Sequence, residues 1–117
     1  MLRHGFKDRG ITFRVVYWKP ETSINQTAQE QYARNVLHCT RQLHYSANNE
    51  NSIDIVLFVN GIPVVSMELK NQFTGQDTDN AIRQYKFDRA GKEAIFEFKN
   101  RVLVHFAVDL YNVFMTT

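Results

Sequence analysis

The sequence predicts an α/β fold: a mixed β-sheet with a central β-hairpin, a crossover helix, and a strand parallel to the hairpin's second arm. Three observations carry this expectation. Residues 53–59 and 62–69 are apolar and β-branched on both faces, as in central strands covered on both sides. Asn60-Gly61 lies between them, the strongest short-range hairpin signal. A helical pattern over residues 77–90 precedes a third apolar run at 101–108, and crossovers of this kind join parallel strands.

The elements follow in order. Residues 1–10 are basic, and Gly5 and Gly10 interrupt any regular element there. Residues 11–18 alternate as a strand, with Ile11, Phe13, Val15 and Tyr17 on one face, and Pro20 ends it. Ser23 is a candidate N-cap for a polar helix reaching about Arg34, which has little apolar face and should be peripheral. Leu37, Cys39, Arg41, Leu43 and Tyr45 recur at period two, so a strand is favoured over a continuation of the helix. Cys39 then reads as core. Residues 46–52 form a turn cluster. Asp77 or Thr78 caps the crossover helix, which buries Ala81, Ile82 and Tyr85, and Gly91-Lys92 ends it. Residues 93–99 form a short amphipathic piece, and residues 111–115 add an edge strand.

Composition narrows the function. At 117 residues and 44% apolar, with nine Phe, five Tyr and one Trp, the chain can bury a core and is one domain or part of one. A net charge of +2 announces no global field for nucleic acid, so any DNA footprint must be local. The lone Cys39 excludes an internal disulfide and a multi-thiol zinc site, and fits a reducing, cytoplasmic compartment. No stretch is apolar enough for a membrane span, and the start lacks the apolar region of a signal peptide. The end follows an apolar run without a closing turn, so the chain reads as a fragment of something longer.

The chemistry concentrates at the hairpin. Asp54 heads its first arm and Glu68-Leu69-Lys70 closes its second. Phosphodiester hydrolysis needs a positioned, deprotonated water and relief of charge on the phosphate and the leaving oxygen. Mg²⁺ is a hard cation that keeps several waters and takes one or two carboxylates. Asp54 and Glu68 supply that number, and the Leu69 backbone carbonyl is a natural third ligand. Lys70, two residues beyond Glu68 and so on its face, is placed to orient the water or stabilise phosphate charge. A Glu-x-Lys triplet alone says little, occurring by composition in about one such chain in three. Local pattern weighs this site evenly against a strand end that merely emerges into solvent.

Register decides whether the three groups meet. A two-residue turn pairs Val59 with Ile62, sets Asp54 opposite Met67 and leaves Glu68 on the other face. A three-residue Val-Asn-Gly loop with a bulge at Gly61 sets Asp54 opposite Ser66, on the face of Glu68 and Lys70. The hydrolytic reading therefore expects the bulged loop or an equivalent bend.

The run Asp54-Ile-Val-Leu-Phe-Val-Asn-Gly-Ile-Pro-Val-Val-Ser-Met-Glu68-Leu-Lys70-Asn71, with Ala81-Ile-Arg-Gln84-Tyr85 after it, resembles the N-terminal nuclease domain of type I restriction endonuclease R subunits. These belong to the PD-(D/E)xK nuclease superfamily. The likeness extends from about Leu2 to the end of the chain and is densest over 53–90. It implies a restriction-endonuclease-like core over residues 1–117 that cleaves double-stranded DNA with Mg²⁺. It also implies an ATP-driven translocase elsewhere in the subunit, and methylase and specificity subunits as partners. By the same likeness Asp54 and Glu68 are metal ligands, Lys70 is the catalytic lysine and Gln84 is the helix glutamine near the site. The family pattern Gln-x-x-x-Tyr is not kept, since Asp88 stands four residues after Gln84 and Tyr85 is adjacent. The superfamily's first helix, which often adds an acid, would lie before residue 1 or be absent; Glu30 is the helical acid available upstream and reads better as a solvated helix residue.

Other residues weigh less. Arg83, Lys86 and Arg89 are candidate contacts to DNA phosphates, with a solvated face paired to Asp79 and Asp88 as the equal alternative. His38 and His44 have strand spacing but no acid nearby, and His4 and His105 carry no signal. No Ser-His-Asp pattern or phosphate-binding glycine loop occurs, so ATP use belongs outside these residues. Two rivals remain: a non-catalytic DNA-contact or scaffold module with the same fold, and a junction or repair nuclease built on the same core.

Overall fold

The computed structural model describes residues 2–47, 50–70, 95 and 102–117. Their elements run β1 (Phe6–Asp8), β2 (Ile11–Phe13), α1 (Gln26–Ala33), β3 (Leu37–His44), β4 (Ser52–Val59), β5 (Ile62–Leu69), β6 (Val104–Val108) and β7 (Val113–Thr116). The chain divides into two units, one of residues 1–37 with 59–61, the other of 38–58 with 62–117. The expected crossover helix at 77–90 and the piece at 93–99 lie outside the described residues.

In the first unit β1 and β2 pair antiparallel, with Phe6 opposite Phe13 and their rings stacked 5.2 Å apart. Arg9 (φ 45°) and Gly10 (φ 82°) join them, both left-handed as a type I′ turn requires. Gly10 therefore makes an element rather than interrupting one. The strand expected over 11–18 stops at Phe13. Beyond it the backbone bonds to side-chain amides instead of a ladder. Tyr17 donates its N–H to Asn35 Oδ1 (3.1 Å), its carbonyl accepts from Asn35 Nδ2 (2.6 Å), and Val15 O accepts from Asn60 Nδ2 (2.7 Å). Helix α1 is capped by Asn25, not Ser23, with the Asn25 Oδ1 accepting from the Ala28 N–H at 3.0 Å. It buries none of its residues, as its polar sequence dictates.

Asn60 serves this unit twice. Its φ of 50° suits the turn, and its side chain makes three bonds: Nδ2 to Val15 O and to Asn35 Oδ1 (3.0 Å), and Oδ1 from the Val36 N–H (2.7 Å). Asn60→Gly keeps the backbone conformation and removes only these bonds. At about 0.5–1.5 kcal/mol each, discounted for exposure, a loss of about 2 kcal/mol is expected in urea unfolding. An unchanged midpoint would show that the amide contributes nothing.

The second unit is built on a five-stranded sheet in the order β3-β4-β5-β6-β7. Strands β4 and β5 are antiparallel by virtue of their short connection. β5 and β6 run parallel, with Val65 opposite Val104 and Leu69 opposite Val108, and β7 closes the edge antiparallel to β6. The sheet is thus mixed, with the hairpin at its centre and the parallel strand beside it. Ile53 and Val56 are fully buried three residues apart, and Pro63 and Ser66 are buried at the same spacing, so both faces of the two central strands carry buried side chains. Val102 and Ala107 complete the core among the described residues.

Two expectations are corrected here. The hairpin loop has two residues, not three: β4 ends at Val59, β5 starts at Ile62, and Asn60 and Gly61 (φ 80°) are both left-handed, a type I′ turn. Cys39 is exposed rather than core, because β3 is an edge strand with only Thr40 and Leu43 half-buried. Those two lie three apart, a spacing that an unbroken strand puts on opposite faces. Between them Gln42 has φ 50°, a left-handed residue inside a strand that breaks the alternation as a bulge does.

Candidate functional site

Asp54 is the second residue of β4, half-buried, and both its oxygens are engaged by donors from the adjacent strands. Oδ2 accepts the Leu69 backbone N–H at 2.7 Å. Oδ1 accepts Gln42 Nε2 at 2.9 Å, and Gln42 Oε1 in turn accepts the Ser52 hydroxyl at 2.9 Å. Hydrogen bonds to an ionised acceptor are the shorter and stronger class, and a carboxylate has about four lone-pair directions, so these two bonds orient the group and leave acceptor capacity on each oxygen.

The bond from Leu69 brings the Asp54 carboxylate onto the backbone between Glu68 and Lys70, despite the two-residue turn. The next peptide adds a further oxygen. The Lys70 N–H donates to Val108 O on β6 at 2.8 Å. In a trans peptide the N–H and C=O point in opposite directions, so the Leu69 carbonyl points away from β6, toward the β4 side where Asp54 sits. Glu68 is 4% exposed, and its register partner on β6 is Ala107, whose side chain is a single methyl. A carboxylate buried to this degree is costly unless it is partnered. Lys70 is half-buried just past the end of β5.

These oxygens are hard donors of the kind that Mg²⁺ selects. Among the described residues no group of three or more His, Cys, Asp and Glu side chains gathers to hold a metal. What the structure brings together at Asp54 is its own carboxylate and the main chain of Leu69. Gln84, Arg83, Lys86 and Arg89 lie outside the described residues. Glu30 is exposed on α1, as a solvated helix residue should be. His38 stacks on Phe58 with ring centroids 4.8 Å apart, which accounts for it by packing.

Two contacts escaped the sequence. His105 Nδ1 lies 2.6 Å from Ser66 Oγ, its register partner, and satisfies a fully buried hydroxyl. Only the parallel register of β5 and β6 reveals that pair. Gln42 carried no signal either, since nothing in a period-two pattern marks a left-handed residue.

Residues 12–117 match the family described as type I restriction enzyme R protein N terminus. No curated protein and no solved structure matches the chain. Among the described residues no helix is long and apolar enough to cross a membrane.

Proposed function

Because this chain belongs to the family of type I restriction enzyme R protein N termini, we propose that it is the Mg²⁺-dependent DNA-cleaving domain of such an enzyme. The observation that carries the reading is the Asp54 carboxylate seated on the Leu69 amide, on the side to which the Leu69 carbonyl points. Asp54, Glu68 and that carbonyl would hold the cation. Bound Mg²⁺ supplies Lewis acidity, lowering the pKa of a coordinated water and drawing charge from phosphate oxygens.

The remaining chemistry falls to the chain itself. Lys70 places a positive charge two residues from Glu68, where it offsets the charge that builds on the phosphate during attack. Gln84, in the segment that follows Lys70, aligns the water or phosphate. Arg83, Lys86 and Arg89 of the same segment hold the DNA backbone through phosphate contacts, which position the duplex without reading sequence. Recognition of sequence belongs to the specificity subunit, protection to the methylase subunit, and ATP-driven translocation to another part of this subunit. The complex acts on double-stranded DNA in the cytoplasm.

Metal titration tests the reading. Mn²⁺, which reports on Mg²⁺ sites, is expected to bind the wild-type protein at a site lost in both Asp54→Ala and Glu68→Ala. Retention of that site in either variant, or its absence from the wild type, would leave the domain a scaffold rather than a nuclease.

A further inference from the structure

We propose that Gln42 is a positioning residue for the metal site: it fixes the orientation of the Asp54 carboxylate for a divalent cation, and its strained backbone is held for that purpose. The proposal rests on the metal-site reading above and names a residue which that reading does not contain.

Three observations converge on Gln42. Its Nε2 donates to Asp54 Oδ1 at 2.9 Å. The orientation of the amide follows from chemistry, because an ionised carboxylate only accepts, so the NH₂ end must face Asp54. The carbonyl end is then left to accept, and the Ser52 hydroxyl donates to it at 2.9 Å. Ser52, Gln42 and Asp54 thus form a one-way chain of donors that ends on the candidate ligand, with the Leu69 N–H on the other oxygen. Such outer partners set the angle at which a ligand meets its metal, and removing one typically weakens binding about 10- to 100-fold.

The backbone is the third observation. Gln42 has φ 50° within β3. The left-handed region favours Gly, and next Asn and Asp, whose short side chains bond locally. Gln is longer and reaches across to β4 instead. A side chain that merely filled an exposed edge position has no reason to stand there in place of glycine. Strain of this kind persists where the surroundings over-determine it, commonly around functional groups.

The left-handed backbone makes the proposal separable from a role in stability. Gln42→Gly relieves the strain and deletes the donor. In the full-length protein it is expected to leave the melting temperature unchanged or raise it by a few degrees, while weakening Mn²⁺ binding about 10-fold. Gln42→Ala deletes the donor and keeps the strain, so it weakens Mn²⁺ binding by a similar factor without the gain in melting temperature. Ser52→Ala, which frees the amide to turn over, moves Mn²⁺ affinity the same way by a smaller factor. If both Gln42 variants keep wild-type Mn²⁺ affinity while Asp54→Ala loses it, the positioning role is overturned and the metal site stands. A lower melting temperature in Gln42→Gly with unchanged affinity would likewise overturn it, making Gln42 a tie between strands. If Asp54→Ala also binds Mn²⁺ normally, the metal reading falls and this proposal with it.

Discussion

Replacing Lys70 by alanine in the complete restriction complex is expected to reduce DNA cleavage by at least about 100-fold, with DNA binding retained. The size follows from removing a preorganised charge aimed at the transition state, typically about 10²–10³ in rate. Lys70 stands immediately after β5, two residues beyond Glu68, and its backbone is pinned by the N–H bond to Val108 O. The alanine variant should therefore fold with that bond intact and lose only the side chain beyond Cβ, the ammonium group with it. Lys70→Arg restores the charge as a planar fork of different reach, so it should recover only part of the activity. Plasmid linearisation with and without ATP, alongside filter binding, separates the outcomes. Cleavage at the wild-type rate in Lys70→Ala would remove the lysine from the chemistry.

Ile53→Ala is expected to destabilise the fold by about 2–5 kcal/mol. Ile53 is fully buried on a central strand, so the lost methyl and methylene groups leave a cavity that the sheet cannot readily close. Against the about 5–15 kcal/mol that folds a typical domain, this is a large share. The neighbouring Asp54 adds a functional signature: loosening β4 at Ile53 should also weaken Mn²⁺ binding, which Val56→Ala, two residues beyond Asp54, should do less. Urea unfolding of both variants with unchanged slope would show the loss to be one of stability. A cost under about 1 kcal/mol at Ile53 would contradict the placement of the core.

The central hairpin and the parallel β6 were legible because each rests on a strong local rule. Asn60-Gly61 dictates a reversal, and a long intervening segment before a second apolar run favours a parallel neighbour. The size of the loop was not legible in the same way. A shared face for Asp54 and Glu68 was expected to need a third, bulged loop residue; the turn has two residues, and what the structure shows is the Asp54 side chain reaching the Leu69 amide.

The misreadings share one cause, the assumption that a pattern is carried by a whole element. Residues 11–18 alternate like a strand, yet only 11–13 find a ladder, because Asn35 and Asn60 satisfy the backbone beyond them. Cys39 alternates with leucines but lies on an edge strand with an open face. Arg9-Gly10 forms a type I′ turn although arginine is no favoured residue for it, so β1 was invisible. Gln42 is the same lesson at the site, since its importance lies in a backbone angle that no side-chain pattern encodes.

The most direct test of the central claim is a crystal structure of the protein soaked in Mn²⁺, with data collected to show the anomalous signal of the ion. The account predicts one strong peak within coordinating distance of the Asp54 and Glu68 carboxylates and the Leu69 carbonyl oxygen. No peak there, or a peak held by other residues while these three point apart, would contradict it.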